Sequence, residues 1–268
     1  MSGVALKTRY DIRARGPAKR RSGFTLIDVL VSIAVIVVLI SLMMPAVIKA
    51  TETAHRVVCS SNVRQVGIAM MMYADTNKDY IPPTTFYDPR ENRADQMLIL
   101  RLSGVSSAPR DFDPETQGWD GLGLLYHGGF LDNAECYYCP SHSGAHPMSE
   151  YAEGFGDIPA VVVGNYQYRG AGPDGQTRLT RIDPSRTALI ADGMRLRSDY
   201  NHKIGSNVMR ADLSVTWFPD YGGQILSRLP EVEREAEASA VIDAWALIDD
   251  HLYAGSRRRA GDDPPRAK

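Results

Sequence analysis

The sequence predicts an α+β fold in which a long N-terminal helix packs on a C-terminal domain with a mostly antiparallel sheet. Residues 29–48 form an uncharged apolar run. At about 1.5 Å per residue such a run is long enough to span a hydrocarbon core of about 30 Å. Residues 51–74 then repeat apolar side chains every three or four positions, which predicts an amphipathic continuation of the same helix. Residues 187–191 and 207–218 favour strands or a hairpin.

A basic leader precedes the apolar run and predicts its orientation. Residues 1–23 hold seven of the 30 Lys and Arg residues and one of the 32 Asp and Glu residues, which leaves 23 basic and 31 acidic residues beyond them. Basic residues beside a span keep that end in the cytoplasm. We therefore expect a single-pass protein of the inner (cytoplasmic) membrane with a periplasmic, extracytoplasmic C-terminal domain. The acidic outer part argues against a nucleic-acid partner, because phosphate binding needs clustered positive charge.

Four kinds of processing fit a basic leader before an apolar run. A cleaved secretory signal has an apolar region of about 7–15 residues followed by small residues, and residues 46–50 offer small residues after a longer run. A twin-arginine signal would use Arg20 and Arg21, and a lipoprotein needs a cysteine closer to the run than Cys59. Cleavage between Gly23 and Phe24 would instead leave the membrane helix on the mature chain.

Residues 21–30, Arg-Ser-Gly-Phe-Thr-Leu-Ile-Asp-Val-Leu, resemble the N-terminal motif of type IV pilins and type II secretion pseudopilins. The resemblance implies a pilin-like fold and a prepilin peptidase that cuts between Gly23 and Phe24 and methylates Phe24. Pro45 stands where many pilins carry a helix-kinking proline. The implied role is a structural subunit of a type IV pilus-like or type II secretion pseudopilus filament, with the peptidase, other pilin subunits and the inner membrane as partners.

Asp28 stands where these proteins usually have glutamate, and it is assigned to assembly together with Pro45. A carboxylate in a membrane segment is unfavourable unless it is paired, which makes it a functional candidate. After cleavage the Phe24 amine would lie at the same depth. Asp28 could neutralise that amine in its own chain or in a neighbour and so determine the axial register of assembled subunits. The alternative is that Asp28 stays hydrated among the lipid headgroups.

A second resemblance covers the chain from about Arg20 to Pro219. It is to pilin-like proteins with a domain named for a histidine, nine residues and Asp-Gly (the H-X9-DG, or DUF1559-like, type). In this chain Leu213 replaces the glycine of that pair. The segments that carry the resemblance are residues 59–73, Tyr138-Cys139-Pro140-Ser141, Ala191-Asp192-Gly193, and His202 followed after nine residues by Asp212.

The predicted organisation has five parts. These are a leader at 1–23, a transmembrane half-helix at 24–48, an amphipathic half at 49–75, an extracytoplasmic domain at 76–256 and a disordered tail at 257–268. A further helix is predicted over residues 229–253, where apolar side chains recur at helical spacing.

Four potential zinc ligands lie close together in the sequence: Cys136, Cys139, His142 and His146. Thiolate and neutral imidazole suit zinc, although the usual zinc finger has a longer loop between its two ligand pairs. A disulfide that includes Cys139 and free buried thiols remain open alternatives. The chain has three cysteines, so complete intramolecular pairing is excluded.

His202 and Asp212 are assigned structural roles, as turn caps or as a bonded pair across a hairpin. Asp192 and Asp212 are also candidates for calcium binding. We expect no catalytic residues and no cofactor, with calcium or zinc as the open alternative, because the chain lacks a nucleophile elbow, a phosphate loop and a dinucleotide fingerprint. The alternative function is a membrane-anchored extracytoplasmic protein that binds a ligand or ion and uses the pilin motif only for processing.

Overall fold

The computed structural model describes residues 24–88, 90, 92–102, 116–156 and 160–259, with side chains described up to residue 252. The chain divides into two compact units, residues 1–48 and 49–268. The predicted leader with Gly23, and the predicted tail from residue 260 onward, lie outside the described residues.

Helix α1 runs over Leu26–Thr76 with Pro45 inside it, which confirms the predicted long helix. Residues 24–48 are all exposed, and by length and composition α1 could cross a membrane. Polar side chains in this part bond to the helix itself. The Ser32 hydroxyl donates to the Asp28 carbonyl at 2.7 Å, and the Ser41 hydroxyl donates to the Val38 carbonyl at 2.8 Å. These hydroxyls therefore need no water partner.

The second half of α1 buries one face in the domain. The buried residues recur every three or four positions, and they are Cys59, Val63, Val66, Gly67, Ala69, Met70 and Ala74. Val57 and Val58 belong to the predicted amphipathic segment but lie outside this face, and they are 65% and 47% exposed. The helix is rotated so that Gly67 faces the sheet instead. A Cβ on Gly67 would lie 2.3 Å from the Met209 sulfur, so the glycine permits this close approach.

Two antiparallel ladders form the β-structure of the domain. Strands β1 (Ile99–Arg101) and β2 (Val162–Val163) make the smaller one, and helices α2 (Gly123–His127) and α3 (Met148–Tyr151) lie between them in the chain. The larger sheet has the order β3-β4-β5-β6, and its strands are β3 (Tyr166–Tyr168), β4 (Ala188–Asp192), β5 (Gly205–Arg210) and β6 (Val215–Pro219). The predicted strand near residue 190 and the predicted hairpin are confirmed.

The larger sheet separates two apolar clusters. Successive strand residues point to opposite faces, and in β5 Met209 packs in the cluster that contains the buried stripe of α1. Its neighbour Val208 packs with Trp245 and Ile248 of α4 (Ala238–Arg259). The domain is therefore α+β, as predicted, with one helix on each face of the sheet.

Helix α4 begins later than the predicted residue 229. The Arg197 amide donates to the Pro230 carbonyl at 2.9 Å, and its guanidinium bonds Glu231 at 2.7 Å. Arg195 forms an ion pair with Glu233. These contacts tie the preceding segment to the loop after β4, so the helix starts only at Ala238.

One carboxylate joins α4 to the sheet. Asp249 Oδ1 accepts from the Ala188 amide at 2.9 Å, at the start of β4, and Oδ2 accepts from Arg169 Nη1 at 2.6 Å. The Arg169 and Asp249 side chains are 14% and 18% exposed. The Asp249 carboxylate therefore accepts hydrogen bonds from both a buried backbone amide and a largely buried cation.

We expect Asp249→Ala to lower the free energy of unfolding by about 2–4 kcal/mol, because it leaves the Arg169 charge and the Ala188 amide without their partner. Denaturant titration of the full-length protein in detergent measures the loss. Asp250→Ala is the matched control, since Asp250 is exposed on the same helix, and it should change stability by less than about 0.5 kcal/mol. Equal effects of the two changes would contradict the anchoring role.

Candidate functional site

Four side chains that can bind a metal meet inside the domain: Cys59, Cys139, Asp192 and His202. We refer to them as the Cys–Asp–His cluster. Their ligand atoms all lie within 4.8 Å of one another. The residues are 0%, 4%, 0% and 3% exposed, in that order, so bulk water is excluded from the site. Within the described ranges, this is the one group of three or more such side chains that converges in this way.

The cluster joins four separate segments of the chain. Cys59 lies on the buried face of α1, and Cys139 follows the short 3-10 turn at Ala134–Tyr137. Asp192 is the last residue of β4, and His202 lies in the turn before β5. Antiparallel pairing of β4 with β5 brings the end of one strand beside the start of the other.

Direct contacts connect the four side chains. Cys59 Sγ donates to Asp192 Oδ1 at 3.2 Å, and Cys139 Sγ lies 3.6 Å from His202 Nε2. His202 Nε2 lies 3.7 Å from Asp192 Oδ2. The Asn207 amide donates to the same carboxylate oxygen at 2.6 Å, which fixes the orientation of the carboxylate.

Glu52 supports the cluster from α1. Its Oε1 lies 2.6 Å from His202 Nδ1, and its Oε2 accepts from the Ser141 hydroxyl at 2.7 Å. A carboxylate only accepts hydrogen bonds, so this contact places a proton on Nδ1. Nε2 is the ring nitrogen that faces Cys139 and Asp192.

An aromatic side chain packs beside the histidine. The Trp217 ring packs edge-on to the His202 ring, with centroids 5.6 Å apart. The Arg56 guanidinium carbon lies 3.4 Å from the Trp217 ring centroid. This stacking fits a cation–π contact, and it gives α1 a further contact near the cluster.

Burial and neighbouring charges shift the pKa values of the cluster. Burial raises the pKa of the Cys59 thiol and of the Asp192 carboxyl. Burial opposes protonation of His202, but the hydrogen bond with Cys139 and the charge of Asp192 outweigh it and raise the pKa of His202 to about 9. Burial likewise opposes ionisation of Cys139, but hydrogen bonds with Cys59 and His202 lower the pKa of its thiol. The environment therefore makes the Cys139 thiol easier to ionise and the His202 ring easier to protonate than they are in water.

The structure separates the four zinc candidates that are close in sequence. Cys139 belongs to the cluster, whereas Cys136 Sγ donates to Gln65 Oε1 at 3.4 Å. His142 Nδ1 lies 2.8 Å from Asn201 Oδ1, and His146 Nδ1 lies 2.8 Å from the Tyr151 hydroxyl. The three cysteines are free and buried, so the alternative of a disulfide that includes Cys139 is not formed here.

A family model described as "Protein of unknown function (DUF1559)" matches residues 49–202. The match covers more than half of the 268 residues. The chain belongs to this family. All four residues of the Cys–Asp–His cluster lie inside the matched range. Neither the curated proteins nor the solved structures that were compared with the chain gave a match.

Asp212 lies apart from the cluster of this DUF1559 domain. It is exposed in the β5–β6 turn, where Oδ1 accepts from the Ser214 amide at 2.9 Å and Oδ2 lies 3.5 Å from Arg210 Nη2. His202 contacts Asp192, whereas Asp212 bonds within its own turn. Leu213 has a φ of 64°, a conformation that favours glycine.

Asp28 forms a local contact at the start of α1 that the sequence analysis missed. Its Oδ2 accepts from the Thr25 amide at 2.9 Å, and the Asp28 amide donates to the Thr25 hydroxyl at 3.2 Å. This reciprocal pair is a capping box with aspartate in place of glutamate. The pattern Thr-x-x-Asp before an apolar run was the signal for it.

Proposed function

We propose that the chain is a pilin-like prepilin, cut and N-methylated at Phe24, that serves as a structural subunit of a pilus-like or pseudopilus filament. The observation that carries the proposal is α1 (Leu26–Thr76), in which an exposed apolar segment continues directly into a helix that lies in the core of the domain. The resemblance of residues 21–30 to prepilin motifs supports it. On this proposal the protein has no catalytic activity of its own.

The second half of α1 also has an exposed apolar stripe that suits assembly. Its residues lie opposite the buried face, and they are Val57, Ile68, Met71 and Met72, which are 50–65% exposed. We propose that α1 of a second copy covers this stripe, because the stripe belongs to the same helix as the exposed apolar segment before it. Contacts between such helices would bury the exposed apolar side chains of both copies.

Asp28 has two roles on this proposal. Its bonds to Thr25 cap the helix in each chain, and its charge pairs with a Phe24 amine in a low-dielectric environment. The capping role needs only hydrogen-bonding atoms, whereas pairing needs a negative charge. Substitutions can therefore separate the two roles.

The second candidate is a membrane-anchored binding protein that uses the motif only for processing. The Cys–Asp–His cluster favours this candidate, and so does a neighbouring cleft of about 380 Å³ whose lining includes Val58, Cys139 and His142. Such a protein would act as single copies. It would need neither the Asp28 charge nor the exposed stripe on α1.

We expect Asp28→Asn to leave processing unchanged but to reduce incorporation into sheared surface filaments at least about tenfold, equivalent to about 1.4 kcal/mol. Asparagine keeps an acceptor for the Thr25 amide and loses the charge. Immunoblots of sheared filaments and of membranes measure the two quantities.

Asp28→Glu is the matched control, because it keeps the charge and should assemble nearly as wild type. Thr25→Val removes a capping hydroxyl without changing charge, and it should also assemble. Full incorporation of Asp28→Asn would overturn the pairing role.

We expect Ile68→Lys to block incorporation while leaving the domain folded, because it places a charge in the interface between copies. Ile242→Lys is the control, since Ile242 is an exposed helical isoleucine outside the stripe, on α4. Co-purification of two differently tagged copies, with circular dichroism to check folding, measures the effect. Equal association of both variants would contradict the stripe as the interface, whereas no association between wild-type copies would favour the single-copy candidate.

A further inference from the structure

We propose that Cys59, Cys139, Asp192 and His202 bind one structural zinc ion. The site goes beyond the filament proposal and does not depend on it, because every residue involved lies in the unit formed by residues 49–268. Four features of the site support zinc binding: the spacing of the ligand atoms, the contact of Glu52 with the histidine, the burial of the ligands and their donor types.

The spacing of the ligand atoms fits tetrahedral zinc. Bonds of about 2.3 Å to sulfur and about 2.0–2.2 Å to nitrogen and oxygen place neighbouring ligands about 3.3–3.8 Å apart. The contacts from Cys59 to Asp192, Cys139 to His202 and His202 to Asp192 measure 3.2, 3.6 and 3.7 Å. The other pairs of ligand atoms lie within 4.8 Å of one another, so an ion at the centre would require the longest of these distances to shorten by up to about 1 Å.

The histidine is held as a zinc ligand usually is. In zinc-binding histidines, the N–H of the ring nitrogen that does not bind zinc commonly donates a hydrogen bond to a carboxylate. This bond fixes the tautomer and the ring orientation. Glu52 fills that position, with its Oε1 2.6 Å from Nδ1 of His202. The Ser141 hydroxyl bonds the other oxygen of Glu52, so the carboxylate is itself held in place.

The closure of the site indicates a structural ion. Four protein ligands complete the coordination of structural zinc, whereas catalytic zinc keeps one position open to water. All four residues are buried. The ion would join α1 to the end of β4 and to the turn before β5, so it would hold the amphipathic half of α1 on the sheet.

The donor atoms favour zinc over calcium. Calcium takes six to eight oxygen ligands, whereas this cluster offers two sulfurs, one nitrogen and a carboxylate. Asp192 is fully buried, and its Oδ2 forms an ion pair with Nε2 of His202 at 3.7 Å. A divalent cation would compensate a buried carboxylate and two thiolates more fully. On binding, zinc displaces the protons that the cluster holds on its sulfurs and on His202 Nε2, and these protons pass to solvent.

Zinc has a route to the site. The cleft of about 380 Å³ is lined by Asn62, Cys136, Cys139 and Pro140 among others. It therefore reaches one of the four ligands from the surface of the domain.

Metal analysis of the full-length wild-type protein is the first test. Protein purified in detergent with a thiol reductant and no chelator should contain about one zinc per chain by inductively coupled plasma mass spectrometry. Protein stripped with a strong chelator should melt at a lower temperature and recover on addition of zinc alone. Cobalt(II) added to the stripped protein should give thiolate charge-transfer absorption and the intense visible bands of a tetrahedral site.

Variants identify the ligands. Cys139→Ser should weaken zinc binding more than about 100-fold, whereas Cys136→Ser should bind as wild type. Cys136 is the matched control because it is also buried and free but lies outside the cluster. Glu52→Gln should weaken binding about 10–100-fold, as expected for a positioning residue. Competition with a chromophoric chelator measures these affinities.

Several results would overturn the proposal. The proposal fails if the wild-type protein neither contains nor takes up zinc, or if it contains copper instead. It also fails if freshly isolated protein has a Cys59–Cys139 disulfide, or if Cys136→Ser and Cys139→Ser lose zinc equally. If Cys139→Ser fails to fold, the cobalt spectrum of the wild type still decides, because a site without thiolate ligands gives no charge-transfer band.

Discussion

The packing of the domain depends on the rotation of helix α1, which has an exposed apolar first part and a second part with one face buried. Residues 29–48 of α1 form an uncharged, exposed run, whereas one face of the same helix between Cys59 and Ala74 is buried in the domain. Each helical residue turns by about 100°, so a shift of one residue would rotate the buried face away from the sheet. The close approach at Gly67 and the contacts of Cys59 both require the observed rotation.

Polar contacts add specificity to this apolar packing. Glu52 and Cys59 lie two turns apart on α1, and both reach the Cys–Asp–His cluster. Apolar stripes tolerate small rotations, whereas hydrogen bonds and metal bonds depend on direction. Two polar side chains from one helix therefore orient it more strictly than the stripe alone. A zinc ion would add the same constraint on the strands, through Asp192 and His202.

The local sequence pattern predicted the main helices and strands. It did not predict the Cys–Asp–His cluster, because its four residues are far apart in the sequence. The period of α1, the short apolar run of β4 and the alternation over residues 207–218 depend on neighbouring residues, so the helix, the strand and the hairpin were predictable. The start of α4 was not, because ion pairs with Arg195 and Arg197 hold the segment before it. Close spacing favoured Cys136 as the partner of Cys139, whereas the fold places Cys59 there from 80 residues away. Sheet register alone brings His202 to Asp192, ten residues apart in the chain.

We propose that the mature protein keeps the apolar part of α1 joined to its domain. Intact mass and N-terminal sequencing of the protein from its native membrane test this proposal. We expect a chain that begins at Phe24 and is heavier by one methyl group, about 14 Da. A chain that begins near Thr51 would contradict this proposal, because the apolar part of α1 and Asp28 would then be absent from the mature protein.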